Sequence, residues 1–318
     1  MSILTHEETP AMVSTAPRLS VETRGLVLGL TAALIWGSYL AMARAGISSG
    51  LAAPDIAFIR YAVAGLIMLP WLLMNRPLEV AGVGWGRAIS LALLAGPLFV
   101  LVGAGGYRFA PLAHGAVVQP ATVTLGAMIG AAIIFSDRLT LPRGIGIATI
   151  VAGLVLIAGP GLFSGTATTP IGDAMFAIAG LMWAAFTILS KRWGVSPMAG
   201  TAVVSVLSAV IYVPLYLAIS GAGHLLAVPA SVLLPQILVQ GVLSGVVAVL
   251  AFSRAVQLLG ASRASVFPAM VPVSAILLGV PIVGEWPTLL QLAGLATVTA
   301  GLLIAIGVIR YNKRAAIG

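Results

Sequence analysis

Stretches of about 20 residues with almost no charge recur from residue 25 to residue 309, and a segment of that kind has few ways to fold. At 1.5 Å of rise per residue, each is long enough as an α-helix to cross the ~30 Å hydrocarbon core of a bilayer. Composition agrees. Only 8% of the 318 residues are charged, against about 25% in a typical soluble domain, so this inventory cannot cover a water-soluble surface.

Taking charges, Gly/Pro clusters and polar residues as boundaries, we expect helices near 25–44, 54–74, 87–107, 113–135 and 143–160, then near 172–192, 197–219, 232–253, 262–283 and 288–309. Residues 1–24 and 310–318 read as cytoplasmic tails, the first polar, disordered and without the apolar core of a signal peptide. With the N-terminus inside, thirteen of the Lys and Arg residues fall in inside segments and two, Arg44 and Arg108, in outside segments; Arg60 lies within the second helix. That bias puts both termini in the cytoplasm.

The segment from Gly25 to Arg44 aligns with that from Gly172 to Lys191, placing Trp36 on Trp183 and Tyr39 on Phe186. Further on, Pro120 falls on Pro268, Asp137 on Glu285, Gly146 on Gly294 and Gly153 on Gly301. Two distant blocks at nearly one offset indicate a duplication into 25–160 and 172–309. Five helices per copy is an odd number, so the second copy enters the membrane from the opposite side. The expected fold class is therefore all-α, a polytopic membrane protein of ten transmembrane helices in two inverted five-helix repeats. Inverted repeats typically enclose a midplane site served by alternating access.

The basic residues stand singly or in pairs at the ends of apolar runs and form no stripe for phosphates, so no nucleic-acid partner is expected. The absence of cysteine rules out disulfides, thiolate metal sites and cysteine nucleophiles, and no cofactor is expected. Gly46 to Gly50 formally fits G-x-S-x-G, but that pattern acts only at a strand-to-helix turn. Rings of charge and repeated filter loops, the marks of a channel, are missing. An intramembrane enzyme or a scramblase-like protein is the rival of another class.

The motifs ALIWGS, PDIAFIRYAVAGLIMLP, SDRLT and GEWPT resemble those of the drug/metabolite transporter superfamily in its EamA branch, over roughly residues 25–309. The stretch GYRFAPLAHGAVVQP, 106–120, further resembles bacterial aromatic amino-acid exporters of the YddG type. The resemblance implies a basket of helices around a central cavity that moves amino acids or related metabolites outward. The family usually has Gly-Glu before the last helix of each half, where the first half here has Ser136-Asp137. Both Asp137 and Glu285 are read as structural caps at helix ends.

Several residues are candidates for binding the substrate. Trp36 and Trp183 lie about 16 Å into their helices, a depth unusual for tryptophan, and Tyr39 and Phe186 extend the same faces; aromatic packing and the gripping of an apolar solute both account for them. Gln236, Gln240 and Ser244 draw a polar stripe that serves either a cavity or hydrogen bonding between helices. On the fourth helix His114 and Thr122 share a face flanked by Gln119 and Pro120. Pro120 and its counterpart Pro268, preceded by Phe267, free backbone carbonyls and mark either cavity-lining bends or plain kinks. Arg60 could receive a substrate carboxylate, pair with Asp55 or snorkel outward. No carboxylate lies deep in a span, so neither a carboxylate proton relay nor a sodium requirement is expected. Rings and amides without fixed charge suit a zwitterion, and the expected substrate is a neutral apolar or aromatic amino acid handled by a monomer in the bilayer of a bacterial inner membrane. A drug or lipophilic-cation exporter of the same superfamily is the alternative.

Overall fold

The computed structural model describes residues 20–136, 140–158, 168–221, 223–264 and 266–305, and among them every regular element is helical. The order is α1 (Val21–Ser48), α2 (Ala53–Met74), α3 (Trp85–Ala95), α4 (Pro97–Gly106), α5 (Leu112–Phe135), α6 (Leu141–Ala158), α7 (Thr169–Arg192), α8 (Pro197–Ser220), α9 (Gly223–Ala227) and α10 (Ala230–Gln236). A π-helical segment (Ile237–Val247) leads into α11 (Ala248–Leu259), followed by α12 (Ala261–Ala264), α13 (Val266–Ala269), α14 (Val271–Val283) and α15 (Leu289–Ala305). Seven helical stretches among the described residues are long and apolar enough to cross a membrane, with α3 and α4 forming one and α10 to α11 another. Three further apolar helices, in α6, α14 and α15, are shorter.

The bundle is apolar outside and polar in places within. Leu66, Ile133, Val210 and Leu277 stand exposed on its surface, whereas Asp55, Arg60, Gln236 and Gln240 are buried. That distribution suits a hydrocarbon solvent, in which a polar side chain is most costly on the outer face.

Several expected boundaries move. The first helix begins inside the expected tail, at Val21, because Ser20 caps it: its hydroxyl accepts from the Thr23 backbone N–H at 3.1 Å. The third expected helix is two pieces, broken at Gly96 before Pro97, where no N–H can continue the ladder. There the Tyr61 hydroxyl donates to the Ala95 carbonyl at 2.7 Å. The ninth expected helix starts as the short pieces α12 and α13, with Pro268 inside the second. Residues 1–19, 137–139 and 306–318 lie outside the described residues, so Asp137 and most of both tails do too.

The most extensive helix packings join the first half of the sequence to the second: α6 with α15, α5 with α7, α2 with α8, and α1 with α14 and α11. The α6–α15 contact runs antiparallel. Gly146 meets Ala305, Ile150 meets Gly301, Gly153 meets Val298, and Ile157 meets Gly294, with backbone against backbone. A Cβ at Gly153 would lie 2.7 Å from the Val298 nitrogen, and one at Gly301 would lie 2.7 Å from that of Ile150. Only glycine permits this approach, which is how small residues let membrane helices touch.

Candidate functional site

α1, α2, α7, α8, the π segment and α11 surround a cavity of about 270 Å3. Trp36, Arg60, Tyr61 and Ser244 form one side of its lining, Trp183, Phe186 and Ser190 of α7 another, and Thr201, Ser205, Phe252 and Ser253 extend it with residues 195–197. It lies toward the end of the bundle where α1 starts, since α11 finishes with Leu259 against Gly25.

The rings gather in two groups. Trp36 tilts against Phe252 with centroids 5.3 Å apart, and Trp183 contacts both Phe186 and Phe99 at 5.2 Å. Both tryptophans are half-buried and face the cavity, so the equivalent positions of the two halves serve one space. Such rings offer broad apolar faces that also attract partial positive charge.

Arg60 is only 8% exposed and lines the same cavity. Its Nη1 donates to Ser244 Oγ at 2.9 Å, and that hydroxyl donates to the Gln240 carbonyl at 2.9 Å. The guanidinium stands over the Tyr39 ring at 4.8 Å and the Tyr61 ring at 5.8 Å. Neither structural alternative for Arg60 is realised. It does not snorkel, and Asp55 is engaged elsewhere: Oδ2 accepts from Ala52 N, while Oδ1 accepts from the Tyr216 hydroxyl at 2.6 Å and from His224 Nε2 at 2.8 Å. Among the described residues no carboxylate pairs with Arg60. The expectation of a cavity without fixed charge is thereby corrected, because one cation remains on its wall.

Five of the sequence candidates thus come together at the cavity: Trp36, Arg60, Trp183, Phe186 and Ser244. The others take different places. Tyr39 lies beneath Arg60, and Gln240 donates through Nε2 to the Tyr39 carbonyl at 3.2 Å, as Gln236 does to that of Met42 at 2.6 Å; both amides tie α1 to the helix opposite. Gln119 and Thr122 sit at the α5–α7 contact beside Gly180. Pro120 is inside α5 without reaching the cavity lining, nor does Pro268, while Phe267 packs on Gly29 and Ala33 of α1. His114 donates through Nδ1 to Asp173 at 2.9 Å, joining α5 to α7.

Polar contacts join the helices at the other end of the bundle. Arg44 pairs with Glu285 and donates to the Tyr107 carbonyl, while Glu285 Oε2 accepts from the Leu112 backbone N–H at 2.8 Å. The acid read as a cap therefore caps a helix, but that helix is α5. A 28-residue α1 spans the distance between this end and the cavity's end.

The EamA-like transporter family matches residues 23–159 and again residues 170–307. This chain belongs to that family. It is therefore a multi-pass membrane transporter of the drug/metabolite type, carrying two family domains in tandem. The uncharacterized transporter YyaM of Bacillus subtilis (strain 168) is 27% identical over 212 residues, 65% of this chain and 68% of that protein. A crystal structure of a protein 17% identical shares the fold at a TM-score of 0.56, over 92% of this chain and 100% of the other. G-x-S-x-G does not stand at a strand-to-helix turn in this EamA protein, since Gly46 and Ser48 lie in the last turn of α1.

Sequence reasoning missed Phe252, Tyr61, Ser190 and the hydroxyls of α8. A signal existed for the last: Thr201 and Ser205 stand four residues apart, on one face of a helix. Phe252 carried none, being one aromatic in an apolar run.

Proposed function

We propose that this EamA transporter exports small neutral metabolites, above all aromatic or apolar amino acids, across a bacterial inner membrane by alternating access. The observation that carries this reading is the cavity into which Trp36 and Trp183, equivalent residues of the two halves, both turn. Its volume of about 270 Å3 falls just under the ~300–1,000 Å3 of pockets that hold drug-sized ligands, which favours a metabolite over a drug. The outward direction rests on the likeness of residues 106–120 to aromatic amino-acid exporters.

In this reading ten helices cross the membrane as two inverted halves with both termini cytoplasmic. Its supports are the thirteen-to-two distribution of basic residues, the antiparallel meeting of α6 with α15 through Gly146, Gly153, Gly294 and Gly301, and three short apolar helices that would complete the count. The cavity would then lie on the cytoplasmic side, with the Arg44–Glu285 pair on the outer side.

Purified protein in liposomes preloaded with labelled phenylalanine, threonine or a lipophilic cation tests the choice. Saturable efflux of phenylalanine without sodium is expected. Preferential efflux of the cation, or strict dependence on sodium, overturns it.

A further inference from the structure

We infer that Arg60 is a carboxylate receptor, and that the ligands of this cavity are apolar monocarboxylates held by that group, with an amino group adding little. This revises the transporter reading of the cavity, from neutral metabolites to zwitterions and anions that carry a carboxylate, and rests on that cavity being the substrate site.

A guanidinium withdrawn from water without a counter-charge is costly, so charged groups inside membrane proteins are ordinarily paired or functional. Arg60 is buried, yet its guanidinium donates to a neutral hydroxyl, Ser244 Oγ. Asp55, five residues before it on α2, is taken by Tyr216 and His224. The rings of Tyr39 and Tyr61 offset part of the charge and hold the planar group in place, but supply no anion. Five N–H donors in a fork match the two oxygens of a carboxylate, a geometry that lysine lacks. Since Arg60 lines the cavity, an entering carboxylate can complete the pair that the protein leaves open.

The remainder of the cavity specifies the rest of the ligand. Trp36, Trp183, Phe186 and Phe252 present rings to an apolar body. Among the described residues no Asp or Glu lies in the lining, so an ammonium would meet only hydroxyls and ring faces while sharing a small space with a fixed positive charge. Removing the amino group from phenylalanine should therefore change affinity less than neutralising its carboxylate. Lipophilic amines should be excluded.

The test is a tryptophan-fluorescence titration of the purified wild-type protein with phenylalanine, 3-phenylpropionate, phenylalaninamide and 2-phenylethylamine. The two acids should bind within tenfold of one another, and the amide and the amine at least tenfold more weakly. Arg60→Gln should abolish binding of both acids and Arg60→Lys retain part of it; should Arg60→Gln fail to fold, the wild-type series decides alone. Equal binding of the amide or the amine overturns the receptor. If the acids bind as expected but phenylalanine is not transported from liposomes, the receptor stands and the amino-acid export reading falls. If phenylalanine is transported and the amide competes equally, the reverse holds.

Discussion

Arg44 and Glu285 stand 241 residues apart in the chain, and their side chains meet at the end of the bundle remote from the cavity. The same separation links Glu22 to Arg263 and the Ala33 carbonyl to the Ser274 hydroxyl. Steps of eleven residues bring a helix back to one face after about three turns. One face of α1 is thus matched in parallel register to the α12–α14 run from end to end. Arg44 and Glu285 are 23% and 27% exposed, which separates them from the surface pair of Glu22 and Arg263 at 66% and 70%.

Breaking the inner of these pairs should therefore destabilise the fold, and breaking the outer one should not. Glu285→Gln is expected to lower stability by about 1.5–3 kcal/mol, the range for hydrogen bonds to charged groups, and Glu22→Gln by under about 1 kcal/mol. A charge swap, Arg44→Glu with Glu285→Arg, should restore the pair but not the acceptor for Leu112 N, leaving the double variant short of wild type. Thermal unfolding in detergent reads all three.

Removing either wall of the aromatic cage should impair transport without reducing the amount of folded protein. Trp36→Ala, Trp183→Ala and Phe252→Ala are each expected to lower the phenylalanine efflux rate about tenfold, equivalent to about 1.4 kcal/mol. Normal efflux from all three would reduce the cage to packing.

At Gly153 a side chain has nowhere to go, because its neighbours at 2.7 and 3.0 Å are backbone atoms of Val298 and Gly294. Gly153→Val should cost about 1–3 kcal/mol or more and depress the yield of folded protein. Gly86, which has open space around it, is the contrast: Gly86→Ala should be neutral or stabilise by up to about 1 kcal/mol. Equal yields for the two variants would show that the α6–α15 approach is looser than described.

The orientation can be tested without removing any native thiol. Single cysteines at Ser2, Ser48, Ser164 and Ala316, probed in intact cells with an impermeant maleimide, should label at Ser48 and Ser164 only. The reverse pattern would invert the molecule.

Helices were readable from the sequence because in lipid one property, apolar length, decides whether a segment spans. Which face of each helix looks inward was not, since both faces of α2 or α5 are apolar and only occasional residues distinguish them. Trp36 and Trp183 could be paired in the sequence because they stand at equivalent positions of its two halves. The fate of Arg60 depended on its rivals for Asp55, of which His224 lies 169 residues beyond Asp55 in the chain. Prolines misled for a related reason: Pro120 frees a carbonyl, but α7 packs beside α5 and the cavity opens elsewhere. The break at Gly96–Pro97 was visible, yet its use, a hydroxyl from Tyr61 on the Ala95 carbonyl, depended on tertiary contact.

The α6–α15 contact maps onto itself when the halves are exchanged. Gly146 and Gly294 are counterparts, as are Gly153 and Gly301, and the pairing of Gly153 with Val298 becomes that of Gly301 with Ile150. An interface of that kind is isologous, the type that joins the subunits of a twofold homodimer. A single EamA-like domain would already possess its own side of that contact, so two separate copies carry, before any linker joins them, the surface through which they pair.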